Sequence, residues 1–218
     1  MNISIIGTSY VGIITGTCFA ESGYNVICVH VDRENVKGSP DDRTPLREPG
    51  LVDLILKNLK EGRLSFTSDI HHAVKDSFII FIAVGTEITG DSSMDRSMII
   101  NVSRSIGRSI NDYKKIVIRS IVPFGTTELV RQTIRQFTDV EFDVAYNPEY
   151  LNEGSAIEDF MKPDWIVIGF DKPSVAGTIK RLYSLYMSSS DGFILAPIKS
   201  AELATYDGIQ YFQQEFAR

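Results

Sequence analysis

The sequence predicts an α/β fold built on a doubly wound, mostly parallel sheet. Three observations point there. Short apolar, β-branched runs alternate with amphipathic stretches along the 218 residues. The most apolar run, Phe78-Ile79-Ile80-Phe81-Ile82-Ala83-Val84, has no polar face, as a parallel strand covered on both sides requires. The first thirty residues, Met1 to His30, read as strand, glycine turn, helix and strand.

Asn2 to Ile6 is a buried strand that breaks at Gly7. Gly7-Thr8-Ser9-Tyr10-Val11-Gly12 leads into a helix over Ile13 to Ser22, which Gly23 ends, and Asn25 to His30 is the second strand. Val31 to Thr44 is polar and reads as a short helix and a loop. An amphipathic helix then opens from Pro45 and runs to Lys60, with Leu51, Leu54, Ile55 and Leu59 on one face. Gly62 stops it, and Leu64 to Thr67 alternates as a third strand. Ser68 or Asp69 caps a short helix through Val74. Phe78 to Val84 is the central strand, followed by Gly85-Thr86, a polar loop over Glu87 to Ser93 and a helix from about Asp95 to Ile110. Lys115 to Ser120 is the fifth strand, Thr126 or Thr127 caps a helix to Phe137, and Phe142 to Tyr146 is the sixth strand. Six strands with intervening helices predict the order 3-2-1-4-5-6 with right-handed crossovers, a Rossmann-like sheet. Two further strands, Trp165 to Gly169 and Phe193 to Ala196, flank a helix over Val175 to Tyr186 and extend it. Ser200 to Phe216 is a C-terminal helix.

The composition, 43% hydrophobic and 23% charged, is that of a globular domain. A net charge of −6 without a basic stripe argues against nucleic acid as a main partner. No apolar run reaches the length of a membrane span, and the N-terminus lacks a basic leader, so the expected place is the cytoplasm, with no membrane partner. Cys18 and Cys28 read as small core residues. His71 and His72 are adjacent and point apart on a helix, so no metal pair is expected there. Trp165 opens a strand and is expected in the core.

In doubly wound sheets the ligand lies across the carboxyl ends of the strands. Four polar, glycine-bearing loops leave those ends: 7–12, 84–86, 120–126 and 147–154. The first offers free N–H groups and a helix N-terminus to phosphates. Its pattern departs from Gly-x-Gly-x-x-Gly, because Ser9 stands at the middle glycine, while Gly7 serves the turn and Gly12 the packing of helix on strand. The alternative is a βαβ unit that binds nothing.

An ordered set of motifs carries a family likeness: Gly-Thr-Ser-Tyr-Val-Gly (7–12), Glu-Pro-Gly-Leu (48–51), Ala-Val-Gly-Thr (83–86), Val-Pro-Phe-Gly-Thr-Thr (122–127), Asn-Pro-Glu-Tyr-Leu-Asn-Glu-Gly-Ser-Ala (147–156) and Ser-Ala-Glu-Leu (200–203). Together they resemble the UDP-glucose/GDP-mannose dehydrogenases. The resemblance implies oxidation of C6 of a nucleotide-sugar alcohol to a carboxylate, with two NAD+, through an aldehyde and a cysteine thioester. It implies a cofactor, NAD, held by Gly7, Ser9, Tyr10, Val11, Gly12, His30, Asp32, Val84, Gly85, Thr86, Ser120 and Glu153. It implies catalytic roles for Glu149 and Glu153, and substrate contacts for Glu149, Tyr150, Leu151 and Asn152. Residues 1–199 are then the NAD-binding domain and 200–218 the start of the helix that joins the family's two domains and makes its homodimer, or meets a partner chain. The family's catalytic cysteine and sugar-nucleotide domain are expected beyond Arg218; Cys18 and Cys28 do not match the nucleophile.

The departures fall at ligand positions. Ser9 replaces the middle glycine. His30 stands where the family has the acid for the adenine ribose, with Asp32 two residues on. Asn35 replaces a Lys or Arg, Ile121 a threonine, Thr205 a lysine and Ile209 an asparagine. Two readings stay open: an NAD-binding domain that is truncated or half of a split enzyme, and a non-catalytic relative that kept the fold and lost the chemistry. A 3-hydroxyacid dehydrogenase is a third, against which Thr205 and Ile209 speak. For Glu149 and Glu153 the plain alternative is solvation, and capping of a helix near Gly154 by Asn152 and Glu153.

Overall fold

The computed structural model describes residues 1–31, 48–85, 95–187 and 192–205. The expectations for residues 32–44, for the loop 87–93, for Asn35 and Ile209, and for the terminal helix beyond residue 205 lie outside them. Eight strands form one sheet: β1 (Asn2–Ile6), β2 (Asn25–Val29), β3 (Leu64–Thr67), β4 (Ile79–Ile82), β5 (Lys114–Ile118), β6 (Phe142–Tyr146), β7 (Ile166–Phe170) and β8 (Phe193–Ala196). Their order is β3-β2-β1-β4-β5-β6-β7-β8, the predicted six with two added at one edge. Parallel registers run Asn2↔Asn25 between β1 and β2, Ile3↔Ile79 between β1 and β4, and Ile116↔Val144 between β5 and β6. Among the described residues only the β6–β7 pair is antiparallel, with Ala145 opposite Phe170.

Strand β4 is apolar and buried at every position because both its faces are covered. Ile3, Ile5, Ile79, Phe81 and Val117 point to one layer, packed by α1 (Tyr10–Glu21), α6 (Ala156–Met161) and α7 (Pro173–Tyr183). Ile6, Ile80, Ile82, Ile116 and Ile118 point to the other, packed by α3 (Ile70–Asp76), α4 (Ser97–Ser109), α5 (Thr126–Arg135) and the helical residues 198–205. Phe19 anchors the first layer, its ring centre 5.1 to 5.5 Å from those of Phe81, Phe160 and Tyr183.

Four local expectations are corrected. Helix α1 starts at Tyr10, because Ser9 is its N-cap and accepts from the Gly12 N–H. In α2 (Leu51–Lys60) Leu59 is exposed, and Asn58 is buried in its place. Asn58 makes that possible by donating to Glu21 (2.8 Å) and Leu54 O (2.9 Å) and accepting from Arg63 (3.0 Å). Neither Thr126 nor Thr127 caps α5; Gly125 is the N-cap and no capping side chain is local. Trp165 is 42% exposed, against Tyr150, with ring centres 4.2 Å apart. Asp69 does cap α3, accepting from the His72 N–H.

Candidate functional site

The loops at the carboxyl ends of β1, β4, β5 and β6 are tied to one another. The Ser9 hydroxyl donates to Ala83 O (2.8 Å) and the Ser120 hydroxyl to Val84 O (2.6 Å). The Arg119 N–H reaches Ile82 O and the Asn147 N–H reaches Ile118 O. Gly7, Ser9, Tyr10, Val84 and Ser120 therefore belong to one assembly, and Gly85 stands exposed at its rim. Asp32 and Thr86 lie outside the described residues.

The glycine turn has the shape that its residues predict. Gly7 has φ +113, and a Cβ there would meet Ala83 O at 2.4 Å. A Cβ on Gly12 would meet Gly7 O at 2.1 Å. Both positions need glycine, and the turn delivers the chain into α1 with first-turn N–H groups that no intrahelical carbonyl can take. This cradle fits the pyrophosphate of a dinucleotide. Tyr10 and Val11 also pack on the core from the first turn of α1. The Ser9 hydroxyl, however, is turned to Ala83 O rather than outward. His30, at the end of β2, has Nδ1 2.8 Å from the Thr8 hydroxyl and stacks on Phe66.

Glu149 is half-buried rather than fully solvated. Its Oε2 is buried without a hydrogen-bond partner among the described residues. Burial pushes its carboxyl up to about 7, against the pull of the Arg119 charge. A carboxyl poised there can take or give a proton near neutral pH. Glu153 is exposed, by contrast, so the two carboxylates sit in different surroundings.

Asn152 and Glu153 do not cap α6. Its end is satisfied from afar by Glu48, whose carboxylate accepts from Gly154 N (2.8 Å), Ile157 N (3.4 Å) and the Tyr10 hydroxyl (2.6 Å). Burial alone would raise Glu48, but the Tyr10, Gly154, Ile157 and Ala156 donors outweigh it and hold the carboxyl below its ordinary range. Asn152 instead donates its N–H and its amide to Asp159, at 2.8 and 3.0 Å. Leu151 packs against the core, and the Tyr150 hydroxyl lies 3.2 Å from that of Thr205.

A second distant carboxylate does the same for α5. Glu202 accepts from Gly125 N (2.8 Å) and Thr127 N (2.7 Å). An acid at a helix N-terminus meets unpaired N–H groups and the positive dipole end. Sequence reading quoted Glu48 and Glu202 inside motifs but gave them no role, and it passed over Arg119. No local signal marks either acid: Glu48 is 5% and Glu202 1% exposed, but each is buried by partners far along the chain.

Both thiols are buried, and burial raises each to about 12. His71 pairs with the Ser109 hydroxyl (2.7 Å) and His72 with Asp76 (3.3 Å). Among the described residues no cluster of three or more His, Cys, Asp or Glu could hold a metal, and no helix is long and apolar enough to cross a membrane.

Residues 1–187 match the NAD-binding domain of the UDP-glucose/GDP-mannose dehydrogenase family. The UDP-glucose 6-dehydrogenase TuaD of Bacillus subtilis is 39% identical over 206 residues, 94% of this chain and 44% of that protein. The UDP-glucose 6-dehydrogenase of Pseudomonas aeruginosa is 36% identical over 94% of this chain and 47% of its own length. Among solved structures, a UDP-glucose dehydrogenase from the hyperthermophilic archaeon Pyrobaculum islandicum superposes with a TM-score of 0.84 at 34% identity, over 95% of this chain and 48% of that one. A GDP-mannose dehydrogenase from Pseudomonas aeruginosa, in a ternary complex, gives 0.86 at 31% identity, over 99% and 51%. The chain spans about half the length of the curated relatives it matches. By its glycine cradle, its sheet and these matches, the chain belongs to the UDP-glucose/GDP-mannose dehydrogenase family, through that family's NAD-binding domain.

Proposed function

We propose that this chain is the NAD-binding half of a nucleotide-sugar 6-dehydrogenase, which oxidises a C6 alcohol of a UDP-glucose or GDP-mannose type substrate to the carboxylate. The observation that carries the reading is Glu149, a half-buried carboxyl with one buried, unbonded oxygen, held near neutrality on the loop that leaves the carboxyl end of β6. In this reading Gly7, Ser9, Tyr10, Val11 and Gly12 meet the pyrophosphate, and His30 and Asp32 the adenine ribose. Val84, Gly85, Thr86, Ser120 and Glu153 border the nicotinamide. Glu149 moves the proton of the sugar alcohol, and Tyr150, Leu151 and Asn152 orient the sugar nucleotide. NAD, when bound, supplies the hydride acceptor. Residues 200–218 begin the joining helix and offer a homodimer or partner-chain contact, and the thiolate for the second oxidation comes from outside this chain. Two buried free thiols suit a reducing compartment, and we place the protein in the cytoplasm.

The second reading, a non-catalytic relative, draws on Thr205. It stands at the family's lysine and is only 2% exposed, with its hydroxyl donated to Ala201 O at 2.8 Å. Calorimetric titration separates the two. Heat with NAD+, followed by heat with UDP-glucose or GDP-mannose when a partner half is added, supports the dehydrogenase. No heat with NAD+ at millimolar concentration leaves the non-catalytic relative.

A further inference from the structure

Arg119 is a buried cation that the dinucleotide reading leaves without a task. It follows β5 and is 5% exposed. One nitrogen, Nη1, donates to Asn147 O (3.3 Å), Asn147 Oδ1 (3.2 Å) and Pro148 O (3.2 Å). The guanidinium carbon lies 5.8 Å from the Phe160 ring centre and 5.9 Å from that of Tyr183. Asn147 is held in turn, accepting from the Tyr183 hydroxyl (3.1 Å) and donating to Val167 O (2.8 Å). The grip therefore ends on the two residues that precede Glu149.

Arg119 forms no ion pair among the described residues, and its Nε has no hydrogen-bond partner there. A buried charge without a counter-charge is strongly disfavoured. Glu149, with its own buried and unbonded oxygen, is the group whose ionisation Arg119 acts on. Asp159 on α6 lines the same pocket as Arg119, but it forms no ion pair with it and accepts from Asn152 (3.0 Å) and Ser155 (3.2 Å) instead. Burial holds the Cys18 thiol on α1 and the Tyr183 phenol on α7 neutral across ordinary pH.

We propose that Arg119 is a positioning residue for Glu149: it fixes the Asn147–Pro148 backbone that presents the carboxyl, and supplies the charge that balances it when ionised. The functional meaning rests on the dehydrogenase reading, but the coupling belongs to this chain and is measured without cofactor or substrate.

The experiment is an NMR titration of the whole chain between pH 5 and 9. The Glu149 side-chain carbonyl signal is assigned by its loss in Glu149→Gln, and the Arg119 Nε signal by its loss in Arg119→Lys. We expect both signals to move with one midpoint near 7, and the Arg119 response to vanish in Glu149→Gln. In Arg119→Met the Glu149 midpoint rises by about one pH unit or more, roughly ten-fold in proton affinity. In Arg119→Lys, which keeps the charge, it stays close to the native value. An unmoved midpoint in a folded Arg119→Met chain, or an Arg119 signal that ignores Glu149, overturns the proposal. Should Arg119→Met fail to fold, the paired signals of the unsubstituted chain decide. Calorimetry with NAD+ on the same sample judges the dehydrogenase reading separately.

Discussion

Replacing Glu149 with Gln should stabilise the fold at pH 8 and leave it unchanged near pH 4.5. In the folded chain the carboxyl is raised from an ordinary 4.5 to about 7, chiefly by burial. The native state therefore holds a proton that the unfolded chain releases between those values. Stability falls as pH rises through that window and levels off above 7. At about 1.4 kcal/mol per pH unit the full loss is about 3 kcal/mol, a net figure that already contains the Arg119 offset and is an upper value because solvent reaches the half-buried side chain. Glutamine keeps the shape and carries no charge, so the difference between the two chains should grow from nothing to about 1–3 kcal/mol across the window. Tm should move by about 2–4 °C per kcal/mol for a domain of this size. Glu21, Glu48 and Asp143 are held below their ordinary range and lose stability in acid, but they do so in both chains and cancel in the difference. The measurement is urea unfolding followed by circular dichroism, from pH 4.5 to 8.5. Parallel stability curves for the two chains would show a solvated Glu149 and refute the reasoning.

Glu48→Gln should cost about 2–3 kcal/mol at pH 7, since it weakens charge-assisted bonds to Tyr10, Gly154 and Ile157, while Tyr10→Phe should cost about 1; urea unfolding of both chains tests the order. Restoring the acid and the glycine together, His30→Asp with Ser9→Gly, should tighten NAD+ binding by about ten- to a hundred-fold, the value of a regained charged hydrogen bond. No gain by calorimetry would show that the cofactor is not held through these positions. The chain by itself should make no uronic acid from UDP-glucose or GDP-mannose, and its two thiols, each raised to about 12, should resist Ellman's reagent at pH 8 until the fold is opened by denaturant. Native-state reaction of either thiol, or NADH production that survives Cys18→Ser with Cys28→Ser, would contradict this.

The sheet was legible because strand signals are local and additive. Ile79 to Ile82 has no polar residue, and the glycines that end each segment lie beside it in the chain. What the sequence could not reveal is distant in the chain. The acceptor for the α6 N-terminus is Glu48, and the Gly154 it serves is 106 residues away; Glu202 and Gly125 are 77 apart. No helical or strand period reports such a pair. Asn152, Glu153, Thr126 and Thr127 stand next to the helix ends without capping them, and Asn152 bonds Asp159 and Thr126 bonds Pro123 O instead. Asn58 was missed for a related reason, since only its partners Glu21 and Arg63 make burial of an amide tolerable. Of the expected site residues, Glu149 rested on the family likeness, since neither its partial burial nor the pull of Arg119, thirty residues earlier in the chain, is written in its neighbours.

The two long-range carboxylates bear on what a motif can say about function. Glu48 sits in Glu-Pro-Gly-Leu and Gly154 in the motif of residues 147–156, and the Tyr10 that joins them belongs to the glycine turn. Glu202 sits in Ser-Ala-Glu-Leu, and the Gly125 and Thr127 it serves belong to Val-Pro-Phe-Gly-Thr-Thr. Five of the six motifs are thus accounted for in part by bonds that hold loops and helix ends together. The sixth, Ala-Val-Gly-Thr, supplies Ala83 O and Val84 O as acceptors for Ser9 and Ser120. A chain that binds nothing would need these same bonds to build the same sheet ends. The motif set therefore argues for the fold with great force and for catalysis with much less. The discrimination falls to groups that the scaffold does not need. Glu149 is one, because a carboxyl with one oxygen buried and unbonded lowers stability at neutral pH. A carboxyl held near neutrality on a loop at the carboxyl ends of the strands is the arrangement that the proposed proton transfer requires.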